Sequence, residues 1–157
     1  MLAAISSFEV HGQEAWGKPG IAFPWATSEK QGFGTSYEKY GEPSPSKVWF
    51  TIARGIVTEV YYPRVDIAQT RDTQIVVTDH KTFLHQEQFD TSHAVERVEG
   101  APLYKVRNED FQKRYRIEKE IWAHPEKNVV IQKVRIEKFV PGLSFFVLHK
   151  PGAANTV

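Results

Sequence analysis

At 157 residues the chain has about the length of one domain, enough to bury a substantial core. Charged residues are 25% of the chain and balance to a formal +1, with no single-sign run, so its charge directs it to neither nucleic acid nor a membrane surface. The absence of cysteine excludes zinc-thiolate sites, disulfides and thiol nucleophiles. The opening MLAAISSFEV lacks the basic start and apolar length of a signal peptide, and no run approaches membrane-spanning length. The default expectation is a cytoplasmic protein, with an exported parent as the alternative.

Residues 1–45 read as an irregular arm, because Gly12, Gly17, Gly20, Gly32, Gly34 and Gly41 interrupt any long periodic element. Gly32-Phe-Gly34 lacks the GK[ST] context of a phosphate loop. Strands are expected over 46–149. Val48 to Ile52 and Ile56 to Tyr62 are rich in β-branched and aromatic residues and flank Ala53-Arg54-Gly55, which predicts a hairpin with Trp49, Tyr61 and Tyr62 as its large anchors. Pro63 ends the second run, and Arg64 to Asp72 reads as an ordered loop held by ion pairs. Gln74 to Thr78 and Thr82 to Glu87 are short strands about a turn at Asp79-His80, where aspartate bonds its own backbone. Thr91 to Val98 and Leu103 to Asn108 form another hairpin, and a turn is expected at Asn108–Asp110. Tyr115, Ile117, Lys119 and Ile121 then share one face while Arg116, Glu118, Glu120 and Trp122 share the other, the pattern of a half-buried antiparallel strand. Val129 to Glu137 and Leu143 to Leu148 complete an all-β antiparallel sandwich or barrel with little helix.

Few residues suggest chemistry. Glu118 and Glu120 are spaced about 7 Å apart along a strand, as glycosidase carboxylates can be, but they sit among Arg116 and Lys119 on the solvent side. Asp66 and Asp72 stand beside Arg64 and Arg71 and read as salt-bridged loop structure. Glu59 lies inside an apolar strand, so its carboxylate needs a partner, and Arg54, Arg64 and Arg71 are the available cations. A buried structural pair is the first reading and a sugar-facing cleft the second. The six histidines show no metal-ligand spacing, so neither a metal nor another cofactor is expected.

Three motifs carry a family resemblance: WGKPGIAFPW at Trp16–Trp25, EKQGFGTS at Glu29–Ser36 and SKVWFTIARGIVTEVYYPRVDIAQTRD at Ser46–Asp72. In this order they resemble the opening of the N-terminal domain of the glucoamylases and glucodextranases of glycoside hydrolase family 15. The resemblance implies a galactose-mutarotase-like β-supersandwich, incomplete here at its C-terminal end, preceding an (α/α)6 barrel whose two catalytic glutamates would lie beyond Val157. It implies a non-catalytic role in polysaccharide catabolism: supporting the barrel and shaping a wall of the α-glucan cleft, with this chain inactive alone. Trp16 and Trp25 become interface candidates, and Glu59, Tyr61, Tyr62, Arg64, Asp66, Arg71 and Asp72 cleft-wall candidates. The alternatives are a free-standing carbohydrate-binding module and a purely structural interaction domain. The apolar LSFFVL at Leu143–Leu148, left without its neighbours, predicts self-association of the isolated chain.

Overall fold

The computed structural model describes residues 30–36 and 46–152. They form β1 (Gly32–Thr35), β2 (Trp49–Ala53), β3 (Ile56–Tyr61), β4 (Ala68–Thr78) and β5 (Leu84–Gln86). A one-turn helix α1 (Glu87–Asp90) follows, then β6 (Thr91–Arg97), β7 (Leu103–Asp110), β8 (Tyr115–Ala123), β9 (Val130–Lys138) and β10 (Ser144–Pro151). All pairings are antiparallel. The first sheet is ordered β1-β2-β3-β4-β10, with β5 also on β4, and the second β6-β7-β8-β9. Their apolar faces meet as a sandwich: Phe50, Ile52 and Val57 pack with Tyr104, Val106 and Ile121, while Ile75 and Val77 pack with Tyr115 and Ile117.

The β2–β3 hairpin forms as expected. Arg54 and Gly55 take φ values of 48° and 67°, the paired left-handed geometry of a two-residue turn whose twist matches its strands. Its core anchor, however, is the fully buried Phe50. Trp49 pairs with Tyr61, and both are only half-buried.

Four further expectations need correction. The arm is not wholly irregular, because GFGT is strand β1, paired to β2 from Gly32↔Ile52 to Thr35↔Trp49. Its glycines serve close approach: a Cβ on Gly34 would lie 2.2 Å from Phe50 Cζ, and one on Gly32 2.7 Å from Tyr104 Cε1. Arg71 and Asp72 are not in a loop, since β4 begins at Ala68 once the turn after β3 closes through Tyr62 N–H to Ile67 O at 3.0 Å. Asn108–Asp110 is strand rather than turn. The reversal falls after Asp110, where Lys113 takes φ 56°. Strand structure also passes 149 to reach Pro151, which an edge position tolerates because no ladder partner needs its missing N–H.

One flank of the sandwich stays open among the described residues. Val134 and Ile136 on β9 pair with the buried Lys119 and Ile117, yet are themselves 41% and 37% exposed. β10 lies at the end of the other sheet, and its Val147 is 69% exposed.

Candidate functional site

The candidate site residues follow β3 and its turn. A bulge in the β2–β3 ladder between Phe50 and Ile52 brings Thr51 against both Thr58 and Glu59. Glu59 is buried, and its Oε2 accepts bonds from Thr51 Oγ1 and Lys30 Nζ, with Thr58 Oγ1 a third neighbour at 3.2 Å. Thr51 Oγ1 in turn accepts the Glu59 N–H at 3.1 Å. The need for a partner is met, but by Lys30 and two hydroxyls rather than Arg54, Arg64 or Arg71. Burial, reinforced by the Glu59 charge, raises the Tyr61 phenol above its ordinary value.

Beyond Tyr61 the chain turns through a cis Tyr62–Pro63 bond. Tyr62 is exposed, and its carbonyl accepts from Gln69 Nε2 at 3.0 Å. Arg64 and Asp66 form the expected pair, a fork anchored by Nε to Oδ1 at 2.9 Å. The Arg64 hydrogen bond holds the Asp66 carboxyl below its ordinary value, which leaves it ionised and no proton donor. Asp72 lies on a different strand, and its ion pair is with Lys150 of β10 at 3.0 Å rather than with Arg71. Glu59, Tyr61, Tyr62, Arg64 and Asp66 therefore form one continuous stretch, while Asp72 faces the β10 side. Trp16 and Trp25 lie outside the described residues.

Two polar networks escaped the sequence reading. Glu87 and Lys119 pair at 2.6 Å with side chains 0% and 1% exposed. Glu87 also accepts Ile75 N–H at 2.7 Å and Asn108 Nδ2 at 2.6 Å, and Asn108 Nδ2 donates to Gly55 O at 2.8 Å. Its signal was visible: a lysine in the apolar phase of β8 requires a buried anion. The second network joins Asp110 to Arg114 at 2.7 Å and places His85 Nδ1 3.2 Å from the buried Tyr115 hydroxyl. Burial raises the Tyr115 phenol strongly. No group of three or more potential metal ligands occurs among the described residues, and no helix there is long and apolar enough to cross a membrane.

The family model for glucodextranase domain N matches residues 15–157. The chain belongs to the glucodextranase N-domain family. It is 42% identical over 132 residues to a glucoamylase of Clostridium sp. (strain G0005), covering 83% of this chain and 18% of that protein. The crystal structure of a bacterial glucoamylase complexed with acarbose superposes with a TM-score of 0.76 at 34% identity, over 88% of this chain and 20% of that one. The chain thus spans about a fifth of these relatives and is a glucoamylase-type N domain. Lys30, Thr51, Thr58 and Glu59 of this N domain all fall within its second and third motifs, so the residues that carry the resemblance also build the buried carboxylate site.

Proposed function

We propose that this N domain belongs to a glycosidase acting on α-glucans, where it supports an (α/α)6 catalytic barrel and lends the β3 turn to one wall of the glucan cleft. The observation that carries this reading is the match of most of this chain to under a fifth of a glucoamylase. Commitment of the three cleft-wall carboxylates agrees with it. Glu59 is bonded to Lys30 and Thr51, Asp66 to Arg64 and Asp72 to Lys150, whereas glycosidase chemistry needs one carboxyl free to donate a proton and a second facing the substrate. The exposed Tyr62 ring and the Arg64–Asp66 fork offer a stacking surface and hydroxyl partners. Residues 1–157 should release no glucose above buffer from maltose, starch or dextran, and turnover that tracks the purified chain overturns the assignment.

The open flank favours a second property, association of the isolated chain with itself. Val134, Ile136 and Val147 expose apolar surface, and β10 ends its sheet among the described residues, the arrangement that invites strand addition.

A further inference from the structure

The outer face of the β6-β7-β8-β9 sheet carries a groove of about 600 Å³, within the range of about 300–1,000 Å³ usual for ligand sites. The register decides which side chains face it. Two rows cross it, Arg107–Glu118–Arg135 and Lys105–Glu120–Lys133, each a carboxylate between two cations. The second row closes on itself, with Lys133 on Glu120 at 3.1 Å. The first does not: Arg107 turns along its strand to Glu109 and Arg135 along its own to Glu137, both at 3.0 Å. Glu118 is left with no hydrogen-bond or ion-pair partner among the described residues, and so is the exposed Lys105.

A free acceptor and a free donor thus stand on diagonal positions of one sheet face, about 7–8 Å apart at the backbone. Hydroxyl groups both donate and accept, so a ring bearing vicinal hydroxyls can satisfy both at once. The groove selects against strong charge of either sign, because its four outward cations face Glu96, Glu118 and Glu120 and nearly cancel. The next row, Leu103–Trp122–Ile131, is apolar and half-buried, suited to the C–H face of a sugar ring.

We infer that this groove binds a neutral oligosaccharide, an α-glucan of a few units, with Glu118 accepting from its hydroxyls and Lys105 donating to them. The groove chemistry asks for a neutral polyol, and the choice of α-glucan rests on the function proposed above. The site lies on the sheet opposite β3 and is separate from the cleft wall.

Calorimetric titration of the 157-residue chain with maltoheptaose tests this. Saturable binding is expected, weakened at least tenfold in Glu118→Ala/Lys105→Ala and nearly unchanged when NaCl is raised several-fold, because a neutral ligand is not screened. Both positions lie on the outer face, and matching melting temperatures confirm that the variant is folded. Absence of saturable binding, or binding indifferent to the double substitution, overturns the groove and leaves the supporting role intact. Loss of binding in Tyr62→Ala alone moves the sugar to the β3 turn and likewise overturns the groove. Displacement of maltoheptaose by dextran sulfate more effective than by dextran marks an anion site and overturns the inference. Glucose released during the titration overturns the non-catalytic assignment, whichever residues bind.

Discussion

Replacing Lys119 by methionine keeps most of the side-chain volume and removes only the charge, so its effect isolates the buried ion pair. The Glu87 carboxylate is 0% exposed and receives three donors, Ile75 N–H at 2.7 Å, Asn108 Nδ2 at 2.6 Å and Lys119 Nζ at 2.6 Å. After the substitution two neutral donors remain for a full negative charge that water cannot reach. Breaking a buried pair from one side costs about 3–5 kcal/mol, a large part of the 5–15 kcal/mol, roughly, that holds a typical domain. Replacing both partners removes the stranded charge, so Lys119→Met/Glu87→Gln should cost clearly less than the sum of the two single substitutions. Urea denaturation followed by tryptophan fluorescence gives each value. A Lys119→Met loss below about 1 kcal/mol, the scale of an exposed pair, would show that water or another cation reaches Glu87 and would refute the reasoning.

Three further outcomes are expected. Gly34→Ala places a methyl 2.2 Å from the buried Phe50 ring and should destabilise by about 1–3 kcal/mol through overpacking, read by chemical denaturation. Burial alone would raise the Asp110 carboxyl, but the Arg114 hydrogen bonds outweigh it and hold the group below its ordinary value of 3.8. A depressed folded pKa contributes stability that is complete above 3.8 and lost as pH falls through the folded value, so the urea midpoint should drop below about pH 4 and drop less steeply in Asp110→Asn. Val147→Lys puts a charge on the exposed β10 edge and should turn a self-associating chain into a monomer by analytical ultracentrifugation; a wild-type chain that sediments as a monomer at micromolar concentration rules out the open edge as an association surface.

The elements legible in the sequence were those fixed by neighbours close in the chain. β8 declared itself because its pleat alternates along nine residues, and the β2–β3 turn because Arg54-Gly55 suits left-handed backbone. Asp79 was legible for the same reason, since it bonds the N–H groups of Lys81 and Thr82 at 2.9 and 2.8 Å. What stayed hidden depended on distant register. GFGT looks like a breaker until Phe50 and Tyr104 are seen to occupy the space that side chains would need. Glu59 announced its need of a cation, but Lys30 lies 29 positions away and nearer arginines were available. Lys119 likewise announced an anion without naming Glu87, 32 positions earlier. A buried charge reveals in sequence that a partner exists, and only the sheet register says which one.

These two carboxylates together fix the hairpin that carries the cleft candidates. Near the tight turn, Gly55 O accepts from Asn108, whose amide also donates to Glu87, so the hairpin is tied to the opposite sheet. The same glycine N–H donates to Gln31 Oε1 at 2.9 Å. On the outer side Glu59 ties β3 to β2 and to Lys30 ahead of β1. Neither carboxylate touches the exposed Tyr62–Asp66 turn, yet both ends of β3 are held by polar bonds that would be costly to leave unmade. The turn therefore inherits its position from a rigid frame while its own tip remains solvent-facing. That division suits a residue set meant to meet another surface: an aromatic ring and an ionised fork held in place by a strand whose buried charges lie elsewhere.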